Sequence, residues 1–391
     1  FLAYSLGAVL SWASFGSSIG PSFFYPSAGV SMAAMLLTRR ALWPAVVVAV
    51  LVGEVLVDTY YGNDTWQAIG FGVADVVEPL IGASVVLAWC GGRPDLRTRR
   101  HLTVFIAGAC LIGPFFGALI GGSVSAHHDQ KPWLTTVLNW WGGDALGVLV
   151  VGAPILLWAS QSYIVRQRPW EAAGVLTVTA GLSVAAFWSE APPSLLILPV
   201  LAWAALRLDM LGAALAGAVA AFLANIMTTR GHGMFAGMDV APSTRVALTQ
   251  VFVATVVVVA MLIAQEASAR LSAVAEREAE RRERIRMETL AGLAQRLSAA
   301  LTPHDIGETL AAHVLNEAGA SSLNLGLVSR DGHNLNWIAM EGYPRAVIDE
   351  FAGGVALSER TVATDTVRTG RPVIVHTAQE YAAAYPEKAH W

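Results

Sequence analysis

The chain has 391 residues, of which 55% are hydrophobic and only 14% charged, with a formal net charge of −4. This composition is typical of an integral membrane protein and excludes an ordinary soluble globular class. Its two cysteines, Cys90 and Cys110, lie in or at the end of apolar segments and are too few for a disulfide framework or a thiolate metal site. Nothing in the charge pattern indicates a nucleic-acid partner. The opening on Phe1, within an apolar segment, suggests a trimmed N-terminus.

Residues 1–265 divide into apolar segments of roughly membrane-spanning length. A transmembrane helix needs about 20 apolar residues. The second and eighth segments are shorter than this, so between eight and ten of them cross the bilayer. We therefore predict an all-α polytopic membrane bundle in residues 1–265, surrounded by a lipid bilayer. The ten segments are 1–17, 26–38, 43–58, 65–89, 102–123, 134–158, 170–187, 193–206, 210–227 and 244–265.

The loops between these segments alternate in charge. Basic residues concentrate in every second loop, and the intervening loops carry few. Basic loops stay on the cytoplasmic side of a membrane. The pattern therefore predicts an even number of spans, with both chain termini in the cytoplasm. The basic positions are Arg39-Arg40, Arg93 to Arg100, Arg166 to Arg168, Arg207 and the stretch after Gln265.

A charged segment follows Gln265, and residues 266–301 are predicted to form one long helix. Apolar positions from Leu271 to Leu301 follow an approximate heptad stripe that is interrupted by charges at 276–286. One interpretation is a parallel signalling coiled coil that makes a homodimer through helix 264–301, with a switchable register at 276–286. The alternative is a solvated juxtamembrane helix.

Residues 302–391 have the pattern of a small α+β domain. We predict helices at about 303–318 and 357–369, and strands at about 322–329, 335–341 and 371–375. Three short strands make a thin sheet, so the domain is expected to be incomplete, with an output module beyond it.

Ionisable side chains inside membrane spans are the strongest functional signal. Each costs about 2.5–3.5 kcal/mol at the bilayer centre on insertion scales, so such a residue is a functional hypothesis by default. The sequence places Glu54, Asp75, Glu78 and Asp144 in predicted spans, with no Lys or Arg at the same depth. Either some are protonated, or they bond to polar neighbours, or they line a cavity that takes a cation or a cationic ligand.

Two other segments could line the same pocket. Asn139, Trp140 and Asp144 share one span, and Tyr25 precedes a Pro-Ser-Ala-Gly segment that indicates a broken helix. The residues Tyr25, Glu54, Asp75, Glu78, Asn139, Trp140 and Asp144 are our candidate ligand-binding set. The alternative is a structural polar core that holds the helices together.

The other motifs give less information about function. Repeated Gly-x-x-x-Gly spacing at Gly113, Gly117 and Gly121, and again at Gly143 and Gly147, favours close helix packing within the bundle over a dimer interface. The pair His127-His128 favours a solvated loop over a metal site, and no metal ligands are assigned. No hydrolase, kinase or nucleotide-binding motif is present, so no catalytic residue is predicted.

Three motifs together resemble a known family of membrane input domains. Residues 1–265 resemble the first membrane-associated sensor (MASE-type) family, which implies a sensor in a bacterial inner membrane. Two positions depart from the family pattern: Tyr25 stands where Trp is usual, and Asp75 stands where Asn is frequent, which implies a different ligand. The motifs are Tyr25-Pro26-Ser27-Ala28-Gly29, Asp75-Val76-Val77-Glu78-Pro79 and Trp140-Trp141-Gly142-Gly143-Asp144.

Residues from Leu293 to Val373 resemble the first part of a GAF domain. By analogy, the two resemblances imply an output module such as a PPM-type serine/threonine phosphatase, with a diguanylate cyclase or a histidine kinase as alternatives. The sequence names no cofactor and no stimulus, and a small molecule or a membrane protein could supply the signal. The competing classes are a transporter-like protein, in which carboxylates at the midplane are also expected, and a receptor that docks another membrane protein.

Overall fold

The computed structural model describes residues 1–15, 24–189, 194–299 and 302–388. The chain forms two structural units, Phe1–Ala273 and Val274–Trp391. The predicted loop Glu190 to Pro193 and residues Ala300 and Leu301, at the end of the predicted signalling helix, lie outside the described residues.

The described residues of the first unit form helices joined by loops, without a strand. Seven of its helices are long and apolar enough to cross a membrane, while α1 and α2 are shorter. The helices are α1 Leu2–Phe15, α2 Pro26–Leu37, α3 Trp43–Tyr60, α4 Thr65–Cys90, α5 Arg99–Phe105, α6 Gly113–Asp129, α7 Trp133–Gly147, α8 Ala153–Gln167, α9 Pro169–Trp188, α10 Ser194–Thr229 and α11 Pro242–Ala299. The unit is thus a multi-pass membrane bundle.

Two pairs of helices are joined without a break by π-helical turns. Ile106–Ile112 connects α5 to α6, and Val148–Gly152 connects α7 to α8. Each turn is followed by a proline, Pro114 or Pro154, near the start of the next helix. A proline ring clashes with the carbonyl four residues earlier, and in both cases that carbonyl lies in the π turn. The wider turn therefore lets each long helix pass its proline.

The eighth and ninth predicted segments form α10, which consists of two helical stretches that meet at a kink at Leu208 and Asp209, where the backbone is not helical. Asp209 has φ +55° and ψ −158°, a backbone region that is otherwise nearly confined to glycine. Its carboxylate accepts hydrogen bonds from Gln161 Nε2 at 3.0 Å and from Ser268 Oγ at 2.6 Å. The kink is thereby tied to α8 and α11.

The glycine motifs pack inside the bundle, as predicted. A Cβ atom added at Gly113 would lie 2.8 Å from the carbonyl oxygen of Glu78, and one at Gly121 would lie 2.5 Å from the Trp140 ring. A Cβ atom at Gly147 would lie 2.0 Å from the carbonyl oxygen of Tyr25, where α2 begins against α7. These contacts are shorter than any side chain tolerates, so glycine sets the distance between the helices.

The end of α11 within the first unit is held by polar contacts. Gln265 donates from Nε2 to the carbonyl oxygens of Leu96 at 3.3 Å and Arg97 at 3.0 Å, in the loop before α5. Glu266 forms an ion pair with Arg99 at the start of α5. Together with the bond from Ser268 to Asp209, these contacts fix α11 where the predicted signalling helix begins.

The second unit contains a three-stranded antiparallel sheet in the order β1-β2-β3. The strands are β1 Leu323–Val328, β2 Asn334–Glu341 and β3 Val355–Ala356, and the helices are α12 Pro303–Ala318, α13 Arg345–Phe351, α14 Val362–Thr369 and α15 Ala378–Ala384. A capping box of Thr302 and Asp305 starts α12. Helix α12 packs on β2, where the His304 ring lies 3.0 Å from the carbonyl oxygen of Ile338.

The prediction of a third strand at residues 371–375 was wrong. This segment has no regular structure, and the third strand is Val355–Ala356, between α13 and α14. Pro372 has no N–H to give to a ladder, and the Ile374 side chain is 69% exposed. The apolar run Val373-Ile374-Val375 therefore has no partner strand among the described residues, although Val373 and Val375 are half-buried.

We predict that Gly147→Ala destabilises the bundle by about 1–3 kcal/mol, because the new methyl group overlaps the backbone at Tyr25 and overpacking is relieved only by moving α2 from α7. Thermal unfolding in detergent measures the change. Gly174→Ala on α9 is the control, since no atom lies within 4 Å of its added Cβ. Equal stability of the two variants would contradict the assigned packing.

Candidate ligand site

Four buried carboxyl groups converge in the interior of the first unit. Glu54 comes from α3, Asp75 and Glu78 from one face of α4, and Asp144 from α7. None of the four is more than 4% exposed. One carboxylate oxygen from each of Asp75, Glu78 and Asp144 lies within 4.8 Å of the other two. The sequence predicted these four acids as site residues, and the fold brings them together.

Two tyrosines connect Glu54 to Asp75. The Tyr4 hydroxyl of α1 lies 2.5 Å from Asp75 Oδ2 and 2.9 Å from Glu54 Oε2. Tyr25, the residue before α2, donates its hydroxyl proton to the same Glu54 oxygen. A hydroxyl has one proton to donate, so Tyr4 bonds to one of the two acids at a time. The pair of phenols therefore forms a bridge between α3 and α4.

Several oxygens of these acids have no hydrogen-bond partner among the described residues. They are Asp75 Oδ1, Glu78 Oε1 and both carboxylate oxygens of Asp144, all shielded from solvent. None of the ion pairs formed by the described residues includes any of the four acids. A buried polar group without a partner costs about 1–3 kcal/mol, and a charged one more. The described side chains around the site thus supply no positive charge to offset these acids when they are ionised.

Small residues let the helices that carry the acids approach one another. A Cβ atom at Gly117 of α6 would lie 3.0 Å from Glu78 Cβ, and one at Gly53 of α3 would lie 3.0 Å from the Tyr4 ring. Gly72 of α4 similarly faces Leu51 of α3, at 2.7 Å from its side chain. The acids are consequently held at close quarters by backbone packing rather than by long flexible side chains.

Trp140 and Asn139 differ in their relation to the acids. Trp140 is 7% exposed, lies one turn before Asp144 on α7, and packs on Phe71 with ring centroids 4.9 Å apart. Its Nε1 has no hydrogen-bond partner. Asn139 is half-buried, and its side chain joins none of the hydrogen bonds of the acids and tyrosines. Trp140 therefore borders the site, while the membership of Asn139 in it stays a prediction.

A sequence model of the MASE1 family matches residues 1–270. The chain belongs to the MASE1 family. No curated protein and no solved structure matches the chain. The MASE1 match and the apolar helices together make the first unit a multi-pass membrane sensor domain.

The MASE1 domain contains site residues that the sequence did not predict. Tyr4 was missed, although it is a tyrosine on the buried face of α1, which it shares with Ala8 and Ser11. Asp58, the last residue of the third predicted segment, was not among the candidates, but it is 2% exposed within α3 and accepts a bond from Trp12 Nε1 at 2.9 Å. A phenol or indole within a short apolar helix was the available signal in both cases. The pair His127-His128 is exposed at the end of α6, as a solvated pair should be.

We predict that Tyr25→Phe destabilises the MASE1 domain by about 1–3 kcal/mol, because it removes the donor to a buried Glu54 oxygen. Tyr60→Phe is the matched control, since Tyr60 is 83% exposed. Thermal unfolding of both variants in detergent provides the comparison. A Tyr25 variant as stable as the control would show that the phenol does not satisfy the carboxyl.

Proposed function

We propose that this chain is a transmembrane receptor in which the carboxyl and tyrosine cluster of the MASE1 domain is the sensing core. We define the cluster as Tyr4, Tyr25, Glu54, Asp75, Glu78 and Asp144, with Trp140 at its border. The observation that carries the proposal is the set of buried carboxylate oxygens without a partner, together with the lack of any basic residue paired to them among the described residues.

A purely structural polar core does not account for this arrangement as well. Structural polar groups in a membrane interior are retained when they satisfy one another. Here Glu54 is well supplied with donors, whereas Asp144 accepts no hydrogen bond of ordinary geometry from the described residues and lies beside a second acid, Glu78. A binding site is expected to contain a side chain that destabilises the protein while no ligand is bound and is stabilised when the ligand binds.

A direct route leads from the cluster to the last membrane helix. Gly142, two residues before Asp144 on α7, faces Gln250 of α11: a Cβ at Gly142 would lie 3.1 Å from Gln250 Oε1. Gln250 is 6% exposed, so a shift of α7 presses on a buried polar side chain of α11. The signal then reaches the contacts of Gln265, Glu266 and Ser268 and continues along α11.

We assign the charged part of α11 to a parallel coiled coil between two copies of the chain. Apolar side chains at Leu271, Val274, Ile285 and Leu290 are each at least 50% exposed. A long helix with an exposed, roughly heptad-spaced apolar stripe gains stability by pairing with a second copy. The charges at 276–286 interrupt that stripe, which makes this segment the least firmly paired and the best suited to change register.

The remaining assignments rest on resemblance. We propose that residues 302–391 belong to a GAF domain and that it passes the signal to a PPM-type phosphatase module, with a diguanylate cyclase or a histidine kinase as the second choice. The three-stranded antiparallel sheet flanked by helices is compatible with such a domain. The alternation of basic loops supports insertion in a bacterial inner membrane with both termini in the cytoplasm.

Asp144→Asn tests the sensing core. The substitution removes one of three neighbouring negative groups and therefore lowers the repulsion between α4 and α7. We expect these two helices to stay together and α11 to be locked in one state. We expect backbone hydrogen exchange at 276–286 to slow by about tenfold relative to the parent protein in lipid nanodiscs. Helix content, from circular dichroism, should not change.

The control is Asp64→Asn, a change of the same chemistry at an exposed position in the loop before α4. It should leave exchange at 276–286 as in the parent. Exchange that is identical in the Asp144 variant, the Asp64 variant and the parent would rule out a sensing role for Asp144.

Ile285→Asn combined with Leu290→Asn tests the coiled coil. The double substitution removes two apolar contacts from the stripe, and we expect it to weaken dimerisation of the nanodisc or detergent-solubilised protein by at least about 100-fold, equivalent to about 2.7 kcal/mol. Light scattering after size-exclusion chromatography measures the mass. Glu283→Gln, on the same exposed helix, is the control. A dimer that survives the double substitution would contradict pairing along this stripe.

A further inference from the structure

The three acids Asp75, Glu78 and Asp144 have the composition of a site for a hard cation. Carboxylate oxygens are the ligands that Mg²⁺, Ca²⁺ and Mn²⁺ prefer. One ligand oxygen from each acid lies within 4.8 Å of the other two, and two oxygens that bind one Ca²⁺ at about 2.3–2.6 Å can be separated by up to twice that distance. The three side chains are therefore close enough to share a single ion.

An acidic cluster alone would not identify a ligand, but the hydrogen bonds around this one do. Asp75 is divided between two roles: its Oδ2 accepts from Tyr4 at 2.5 Å, while its Oδ1 is buried without a partner. A carboxylate held through one oxygen by an outer donor, with the other oxygen left free, is typical of a metal ligand. Tyr4 would thus orient Asp75 toward the ion.

Asp144 gives a second observation of the same kind. It is 1% exposed, both of its oxygens lack a hydrogen-bond partner, and one lies within 4.8 Å of ligand oxygens on Asp75 and Glu78. Helix α7 is fixed beside α2 by the contact of Gly147 with the Tyr25 backbone, which limits how far Asp144 can retreat from the other acids. Its unpartnered carboxylate is therefore directed into the cluster.

We propose that Asp75, Glu78 and Asp144 bind one divalent cation of the Ca²⁺ or Mg²⁺ class, with Tyr4 as the positioning residue for Asp75. This inference rests on the proposed sensing role and names the chemical class of its ligand. Two positive charges offset most of the negative charge of three carboxylates in a region without a paired Lys or Arg. Glu54, bonded to Tyr25 and within reach of Tyr4, belongs to the outer shell and not to the ion site.

Ion binding is measured on the full chain in nanodiscs by isothermal titration calorimetry with Ca²⁺, Mg²⁺ and Mn²⁺ separately, after chelation of bound metal. We expect one ion per chain for at least one of the three metals. Asp144→Asn should weaken that affinity by at least about 100-fold, since it removes a ligand charge, and Tyr4→Phe by about 10–100-fold, as for outer-shell partners in other metal sites. Asp64→Asn, at an exposed position, should bind as the parent does.

Two results would overturn the proposal. One is a parent protein that binds none of the three ions. The other is binding that Asp144→Asn leaves unchanged, which would place the ion elsewhere. Because a folding defect could imitate lost binding, each variant is first shown to keep the parent's helix content and chromatographic profile, and Glu78→Gln provides a second independent ligand substitution.

The same variants separate this proposal from the sensing role. Ion binding in the parent that is lost in Asp144→Asn, without a change in hydrogen exchange at 276–286, would support the cation site and refute the sensing function. A change in hydrogen exchange without any ion binding would support the sensing function and refute the cation site. The three acids would then share protons instead of a metal.

Discussion

The burial of four carboxyl groups without a paired basic residue is the constraint on which the structure of the MASE1 domain depends. Glu54, Asp75, Glu78 and Asp144 lie on three helices, and Tyr4 and Tyr25 attach α1 and the start of α2 to them. Removing a carboxylate from water costs several kcal/mol even after local relaxation. Such a group persists only if the surrounding helices hold it in place, so the helix packing and the cluster have to be understood together.

Backbone packing supplies the necessary rigidity. The glycines at 113, 117 and 121 bring α6 against α4 and α7, and Gly147 brings α7 against the start of α2. Between helices surrounded by lipid, close contact of this kind is the main source of association. The π turns before Pro114 and Pro154 keep the two long helices continuous past their prolines. The packed helices thereby fix the acids near each other while contributing few hydrogen bonds of their own.

The sequence predicted the acids and the membrane bundle because each charged residue in an apolar segment can be recognised without knowledge of its neighbours in space. It did not predict Tyr4, because a tyrosine in an apolar helix is common and its role depends on which helices lie beside it. The break between the eighth and ninth predicted segments was predicted correctly, because Arg207 and Asp209 interrupt the apolar run and the backbone at Leu208 and Asp209 is not helical. The strand predicted at 371–375 failed for a reason related to that for Tyr4: β propensity was present, but pairing depends on a neighbouring strand that propensity does not reveal.

The relative size of the interactions indicates how a ligand at the cluster could control α11. Each hydrogen bond from Gln265 or Ser268 that holds α11 contributes about 0.5–1.5 kcal/mol. Reversing a two-state equilibrium from 1:99 to 99:1 requires about 5.5 kcal/mol of differential binding. Compensating a buried, unpaired carboxylate is worth several kcal/mol per charge, so occupancy of the cluster is comparable to the whole requirement. The contacts that hold α11 are each weaker than this, so a ligand-driven change at Asp144, passed through Gly142 to Gln250 as proposed, would be large enough to exchange one set of them for another.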